Sequence, residues 1–198
     1  MFEKEPIRKS FRHLPPLETE RLFLKKLTLR YAGDFYEYAK DPETSKYLLW
    51  SPHPSRRYTA QYVLYLQRQY ARGKFFDWAV IEKESGKMIG TCGFTEIYEK
   101  EKRCEVGYVF SPAFHRRHFA PEALQCVLTY GFSVLGLQKA SARFMEDNEA
   151  SRKVAERMGF RDDTQKLEYF AKNGKLQRII TYSIDRNEFF RLFPPENS

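Results

Sequence analysis

The stretch CEVGYVFSPAFHRRHFAPEAL, residues 104–124, places a strand, a loop and the start of a helix in direct succession. Alternating apolar residues predict a strand over residues 103–110, and Pro112 ends it. The segment Ala-Pro-Glu at 120–122 predicts the helix start, because proline suits the first turn and a carboxylate suits the positive helix end. Backbone N–H groups at a helix start lack intrahelical partners and bind phosphates well. The stretch therefore predicts either an anion site or a plain crossover from strand to helix.

A second junction of this kind lies further along the chain. A strand is predicted over residues 139–144, followed by a helix over 148–158 that Asn148 caps and Gly159 ends. Ser151 lies one turn into this helix, and simple capping would explain both polar residues. If the two strand-to-helix junctions lie side by side in the sheet, they enclose a cleft.

The other elements give a mixed α/β order. Strands are predicted over residues 20–27, 75–82 and 88–98, and helices over 28–40, around 47–49 and from 59 to 73. The helix that begins at residue 120 ends at Gly136, and an Asn-Gly turn at 173–174 joins two final strands into a hairpin. We expect residues 1–16, which end in Pro15-Pro16, to form an N-terminal arm and residues 17–198 to form one domain.

The composition is that of a soluble globular protein. Of the 198 residues, 42% are hydrophobic and 30% are charged, and 17 Phe and 13 Tyr can supply a large core. No apolar run is long enough to span a bilayer and no secretory signal is evident, so a cytoplasmic protein without a membrane partner is expected. Cys92, Cys104 and Cys126 form no CxxC pair, which favours buried thiols over disulfides or a metal site.

The formal net charge of +8 favours contact with polyanions. A phosphorylated cofactor, nucleic acid and an acidic or polyanionic partner, such as an acidic protein surface or the ribosome, all fit this charge. A solvated basic face without a partner fits it as well. The Lys and Arg residues are dispersed along the chain rather than gathered in one run. Of these partners, nucleic acid bound directly is therefore the least favoured.

Four motifs together resemble the GNAT acetyltransferase superfamily, and within it the RimJ/RimL branch of protein N-terminal acetyltransferases. They are Glu-Val-Gly-Tyr at 105–108, Ala-Pro-Glu-Ala-Leu at 120–124, Asn-x-x-Ser at 148–151 and Met-Gly-Phe at 158–160, in the family's order and spacing. The resemblance implies a GNAT fold, in which a central, mostly antiparallel sheet is splayed between its fourth and fifth strands and flanked by helices. It also implies an enzyme that transfers an acetyl group from acetyl-CoA to a primary amine by direct attack in a ternary complex.

The resemblance places acetyl-CoA at the first junction. The family's cofactor loop, Arg/Gln-x-x-Gly-x-Gly/Ala, corresponds to HRRHFA at residues 115–120, where Ala120 fits and His115 stands at the Arg/Gln position. His118 replaces the glycine, so it could crowd the pyrophosphate or, when protonated, add a cationic contact. No metal is expected. The residues expected to contact acetyl-CoA are Val109, Phe110, Ser111, His115, Arg116, Arg117, His118, Phe119, Ala120, Asn148 and Ser151.

The chemistry of amine acetylation requires proton transfers that polar side chains can supply. The amine must lose a proton before it attacks, the oxyanion needs a hydrogen-bond donor, and the leaving thiolate benefits from a proton. By resemblance, Glu105 is the candidate base, a backbone N–H near Phe110 is the oxyanion donor, and Ser151 is the candidate proton donor. Glu105 could instead pair with an arginine or with backbone, and Ser151 could serve only in helix-start hydrogen bonding.

The acceptor pocket is expected between the helical insert and the last hairpin, which flank that side of the site in this family. The aromatic residues expected to line it are Tyr47, Trp50, His53 and Tyr169, each of which could instead belong to the core. The acceptor is expected to be a protein N-terminus or a small amine, and the protein could form a homodimer. Two other functions stay open: a GNAT-like domain that binds or senses CoA without catalysis, and a basic nucleic-acid-binding module.

Overall fold

The computed structural model describes residue 7, residues 11–172 and residues 174–194 of the chain. The strands in this part of the chain are β1 (Leu17–Glu18), β2 (Leu22–Lys25), β3 (Phe76–Glu82), β4 (Met88–Tyr98), β5 (Arg103–Phe110), β6 (Lys139–Met145), β7 (Arg161–Asp162), β8 (Glu168–Lys172) and β9 (Lys175–Asp185). The helices are α1 (Ala32–Ala39), α2 (Pro42–Ser45), α3 (Arg56–Ala71), α4 (Phe119–Ser133), α5 (Glu149–Arg157) and α6 (Arg186–Leu192). The strands form one sheet of order β1-β2-β3-β4-β5-β6-β9-β7, with β8 also paired to β9.

One pair of neighbouring strands in this sheet is parallel, and the two strands pair over only part of their length. β5 and β6 are in register from Arg103 opposite Lys139 to Val106 opposite Ala142. Beyond these residues β5 continues to Phe110 and β6 to Met145 without pairing to each other. The other strand pairs are antiparallel. The predicted mixed α/β fold, splayed between the fourth and fifth predicted strands, is therefore confirmed, with β5 and β6 as that pair.

An aromatic cluster fills one face of the sheet. Phe11 is fully buried, with its ring centroid 4.8 Å from that of Phe76 and 5.8 Å from that of Trp78. The Trp78 indole donates a hydrogen bond to the carbonyl of Pro15 at 2.7 Å. The segment predicted as an N-terminal arm thus contributes a core side chain, while the division of the chain at residue 16 stays a prediction.

The opposite face of the sheet lies under α1 and α3. Phe35 of α1 and Tyr62 of α3 meet edge to face, with ring centroids 6.0 Å apart. The Tyr70 hydroxyl donates to the carbonyl of Asp77 on β3 and accepts a hydrogen bond from the N–H of Leu27 at 3.3 Å. These contacts hold α3 over β3 and leave a cavity beneath the helices rather than a closed core.

The prediction of a short helix around residues 47–49 is wrong. Helix α2 lies earlier, because the Asp41 carboxylate accepts a hydrogen bond from the N–H of Glu43 at 2.9 Å and Pro42 fits the first helical position. The Asp-Pro pair therefore begins this helix, and residues 46–50 follow as a turn and a bend.

The predicted final hairpin is confirmed. Lys172 of β8 lies opposite Lys175 of β9, and Gly174 has a φ of 74°, which glycine adopts without strain. Asn173, the other residue of the predicted turn, lies outside the described residues. Among the helices that the structure describes, none has the length and apolarity needed to cross a membrane.

Candidate active site at the parting of two strands

Two cavities adjoin where β5 and β6 part. The sheet cavity, of about 540 Å³, lies between the sheet, α1, α3 and the β8–β9 hairpin. The loop cavity, of about 820 Å³, lies between the end of β5, residues 112–118, the start of α4 and α5. They share the lining residues Tyr47, Leu48, Tyr108, Val109, Asn148 and Ser151. The two cavities therefore meet along β5 and the start of α5.

Most of the residues predicted to contact the cofactor line the loop cavity. They are Val109, Phe110, His115, Arg116, His118, Phe119, Ala120, Asn148 and Ser151. Ser111 is not among the lining residues, and its N–H donates to the carbonyl of Ile89 at 2.8 Å. Past Val106, the edge of β5 that faced β6 has no strand partner, which leaves peptide groups there for a ligand. The Phe110 carbonyl is the exception, because His115 Nε2 lies 3.0 Å from it.

The loop keeps the backbone of a glycine loop although it carries a histidine. His118 has φ 62° and ψ 20°, the left-handed conformation that non-glycine residues adopt at a cost of roughly 1–2 kcal/mol. Its side chain is exposed and makes no hydrogen bond that caps α4. The N–H groups of Phe119 and Ala120 follow in the first turn, where intrahelical acceptors are absent. The chain path at the start of α4 therefore stays compatible with an anion.

Cations outnumber carboxylates around the loop cavity. Its charged lining residues are Lys46, Arg116, Lys153 and Arg157, against Glu43 alone. This excess of positive charge, together with the positive end of the α4 dipole, favours a phosphorylated ligand.

Arg117 lies outside the loop cavity and stabilises the loop from the side that contacts β3. Its guanidinium is 2.7 Å from the buried carboxylate of Glu82 and lies 4.8 Å from the ring centroid of Phe119. Its carbonyl accepts a hydrogen bond from Arg21 at 3.1 Å, and Arg21 also donates to Glu122 of α4 at 2.7 Å. The Arg117 side chain thus anchors the loop to β3 and does not line the loop cavity with the other predicted cofactor residues.

Tyr108 connects the two sides of the splay. Its hydroxyl donates to the carbonyl of Ser151 at 3.2 Å, while the N–H of Ser151 donates to the Asn148 side chain at 3.1 Å. Burial raises the pKa of the Tyr108 phenol, so it stays protonated near neutral pH. Tyr108 was not among the residues that the sequence predicted for the site, although it ends the Glu-Val-Gly-Tyr motif. Asn148 and Ser151 take part in helix-start hydrogen bonding as well as lining both cavities.

Glu105 lies in the sheet cavity with both of its carboxylate oxygens engaged. Oε1 accepts a hydrogen bond from the Tyr98 hydroxyl at 3.1 Å, and Oε2 lies 3.6 Å from the guanidinium of Arg143. Arg143 also pairs with Glu168. The arginine pairing that the sequence left open is therefore present, on a carboxylate whose side chain is 15% exposed.

Three of the four predicted acceptor residues line the sheet cavity. Tyr47, Trp50 and Tyr169 do so, and Lys172 of the hairpin donates to the Trp50 carbonyl at 3.0 Å. His53 does not: it is 4% exposed, its Nδ1 lies 2.9 Å from the Thr59 hydroxyl, and burial lowers its pKa. His53 therefore packs in the core beneath the cavity.

The cysteines have the environment of structural thiols. Cys92 and Cys104 are buried, Cys126 is half-buried, and burial raises the pKa of each thiol, to about 11 for Cys126. Such thiols are weak nucleophiles. Within the part of the chain that the structure describes, no three His, Cys, Asp or Glu side chains gather as metal ligands would.

The chain is similar to known proteins in sequence and in fold. A family model described as Acetyltransferase (GNAT) domain matches residues 21–161. A protein of Bacillus subtilis (strain 168), named Uncharacterized N-acetyltransferase YoaA, is 31% identical over 170 residues, 86% of this chain and 96% of that protein. A GCN5-related N-acetyltransferase from Brucella melitensis has a TM-score of 0.80 at 22% identity, over 89% of this chain and 80% of that one. The acetyltransferase RimL in complex with coenzyme A has a TM-score of 0.72 at 20% identity, over 86% and 98% of the two chains.

Proposed function

Because the chain belongs to the GNAT family of N-acetyltransferases, we propose that it binds acetyl-CoA in the loop cavity and acetylates a primary amine held in the sheet cavity. The observation that carries the proposal is the parting of β5 and β6 after Val106 and Ala142, where the two cavities adjoin. The likeness in fold to RimL, whose structure contains coenzyme A, supports the choice of cofactor and a RimJ/RimL-like assignment. A cytoplasmic location and a homodimer stay predictions.

The loop cavity suits the chemistry of acetyl-CoA. The N–H groups of Phe119 and Ala120 would hold the pyrophosphate, and Arg116, Lys153 and Arg157 would neutralise the phosphates. The open edge of β5 would pair with the amide groups of the pantetheine arm. When bound, acetyl-CoA supplies the thioester that donates the acetyl group.

Residues of the sheet cavity and of its border with the loop cavity would supply the proton transfers. Glu105 is the proposed base for the amine, directly or through water, and Ser151 is the proposed donor to the departing thiolate. Tyr108 lies beside Ser151 with a phenol that stays protonated near neutral pH, so it is a second candidate for that donation. An N–H of the open edge of β5 near Phe110 would stabilise the oxyanion.

Cofactor binding and turnover are tested separately. Acetyl-CoA at 100 times its Kd should raise the free energy of unfolding by about 2.7 kcal/mol, which raises Tm by several degrees. Arg157→Ala should weaken the affinity roughly tenfold, because it removes one charge-assisted contact. Lys74→Ala, an exposed cation outside both cavities, is the matched control and should leave the Kd unchanged.

Turnover is followed as thiol release with a panel of small amines and N-terminal peptides. Glu105→Gln should lower kcat/KM by about a hundredfold or more if the carboxylate is the base. Tyr98→Phe, which removes a hydrogen bond to Glu105 but keeps the carboxylate, should retain most activity. Full activity of Glu105→Gln across pH would leave Glu105 as an ion-pair partner only.

Two outcomes would redirect the assignment. A rise in Tm with acetyl-CoA but no thiol release with any amine would favour a domain that binds or senses CoA. No rise in Tm, together with salt-sensitive binding to RNA or DNA, would favour a nucleic-acid-binding module.

A further inference from the structure

We propose that Asp77 is the specificity residue of the sheet cavity and binds a second, distal ammonium of the acceptor, so that the preferred acceptor is a linear diamine or polyamine. This inference rests on the proposed function, since it names the class of amine that the sheet cavity takes. Asp77 was not among the residues that the sequence predicted for the site.

Asp77 lies at one end of a row that leads across the sheet to the splay. It is opposite Gly93 of β4, and Gly93 is opposite Gly107 of β5, the first residue after the last β5–β6 pair. Residues directly opposite each other in an antiparallel pair share a face of the sheet. Asp77 and Gly107 both line the sheet cavity. The two ends of the row therefore both lie in the cavity.

The other two residues of this row are glycines, which leave room for the side chains of their neighbours. A Cβ on Gly93 would lie 2.4 Å from the Cα and 2.5 Å from Oδ1 of Asp77, which no larger residue could tolerate. A Cβ on Gly107 would lie 2.6 Å from the Thr95 methyl group. The Asp77 carboxylate thus leans toward Gly93 and β5, while the Thr95 methyl group occupies the space over Gly107.

No cation in the described part of the chain pairs with this carboxylate. Oδ1 of Asp77 is shielded from solvent and accepts no hydrogen bond from any residue that the structure describes. Among the described residues that line the sheet cavity, the one cation is Arg143, and it is held by Glu105 and Glu168. A buried carboxylate without a partner is costly, so a cationic ligand would relieve that cost.

The titratable groups packed around Asp77 are neutral acids. They are Tyr38 on α1, Tyr62 and Tyr70 on α3, and Cys92 on β4, and burial and the charge of Asp77 raise the pKa of each. Burial also raises the pKa of Asp77 to about 7. An arriving ammonium would therefore favour the ionised carboxylate at physiological pH.

Aromatic rings complete the environment of an ammonium. Phe35 stacks with Tyr38 at 5.2 Å and meets Tyr62 at 6.0 Å between ring centroids, and all three line the cavity with Asp77. The faces of aromatic rings attract cations, and their apolar surface suits a methylene chain. A carboxylate set among aromatic rings is thus better suited to an alkylammonium than to a neutral donor.

The position of Asp77 fits recognition rather than proton transfer from the reacting amine. Two strand spacings separate it from β5, so its Cα lies about 10 Å from that of Gly107. A base must lie within hydrogen-bond reach of the proton that it takes. Asp77 instead lies at the distance of the far end of a short diamine whose near end reaches the splay.

The test compares cadaverine with pentylamine, which has the same carbon chain and one amine fewer. With saturating acetyl-CoA, the wild-type protein should show a kcat/KM for cadaverine about ten to a hundred times that for pentylamine, through a lower KM. Asp77→Asn should abolish this preference by raising the KM for cadaverine, with kcat, pentylamine turnover and the acetyl-CoA Kd little changed. Glu156→Gln, an exposed carboxylate outside both cavities, is the control and should behave as wild type.

A binding measurement keeps this test independent of turnover. Cadaverine should raise the Tm of the wild-type protein more than pentylamine does, and the difference should vanish in Asp77→Asn. Equal effects of the two amines on wild type, or a loss of kcat for both amines in Asp77→Asn, would overturn the inference. Preferred acetylation of an N-terminal peptide without lysine would also overturn it. Failure of the proposed function would show differently, as no response of Tm to acetyl-CoA.

Discussion

Replacing His118 by glycine and by alanine measures the strain at the start of α4. His118 has φ 62° and ψ 20°, and its exposed imidazole makes no capping hydrogen bond. Alanine keeps the left-handed cost of roughly 1–2 kcal/mol, whereas glycine removes it. Glycine also increases the conformational entropy of the unfolded chain, which lowers the free energy of unfolding by about 0.4–1 kcal/mol and so offsets part of that gain. The glycine variant should therefore exceed the alanine variant in free energy of unfolding by about 1 kcal/mol, or 2–4 °C in Tm for a chain of this size.

The assay is urea unfolding of both variants, repeated with saturating acetyl-CoA. Lys102, at φ 52° in the turn between β4 and β5, gives a matched pair remote from the loop, and its glycine and alanine variants should differ by a similar amount. Because the backbone at residue 118 is already left-handed, His118→Gly should change the acetyl-CoA Kd little. Equal stability of the two His118 variants, with the Lys102 pair differing as expected, would refute the conformational argument. A large loss of affinity in His118→Gly would show that the imidazole itself binds the cofactor.

Two further predictions concern buried charge. Because burial raises the pKa of Asp77 from 3.8 to about 7, the folded protein holds a proton in that pH range that the unfolded chain has lost. The free energy of unfolding of the wild-type protein should therefore fall relative to that of Asp77→Asn as pH rises from about 4 to 7, by up to about 4 kcal/mol, and should level off above about pH 7. Urea titrations measure both free energies as a function of pH, and parallel curves for the two proteins would contradict this prediction. Arg117→Met should cost about 1–3 kcal/mol, because it leaves the Glu82 carboxylate, 4% exposed, without its guanidinium. Its acetyl-CoA Kd by calorimetry should stay that of wild type, and a marked weakening would restore Arg117 to the predicted cofactor residues.

The central strands could be predicted because local signals agree there. Strands β4 and β5 have the predicted bounds, since apolar residues alternate and turn residues or proline lie at their ends. The position of helix α2 could not be predicted, because an Asp-Pro pair serves equally well to end a helix and to cap and begin one. The two-residue strands β1 and β7 are too short to show a period, and their pairing with β2 and β9 is decided by tertiary contacts.

The candidate site was only partly predictable, because its geometry depends on which strands are neighbours and in what register. The motif residues Val109, Phe110 and Asn148 could be placed from their order along the chain. Nothing local to Arg117 indicates that its guanidinium turns to Glu82 on β3. The row from Asp77 through two glycines exists only once three strands are aligned, so single-strand patterns could not reveal it.

The two cavities differ in charge, so they would favour substrates of opposite charge. The loop cavity has four cationic lining residues and one carboxylate, whereas the sheet cavity has the carboxyls of Asp77, Glu105 and Glu168 against the single guanidinium of Arg143. An anionic cofactor is therefore favoured in one cavity and a cationic acceptor in the other, so neither competes for the other's place. The border between them carries the neutral hydroxyls of Tyr108 and Ser151. This arrangement fits the proposed direct transfer in a ternary complex, which requires both reactants to be held together where β5 and β6 part.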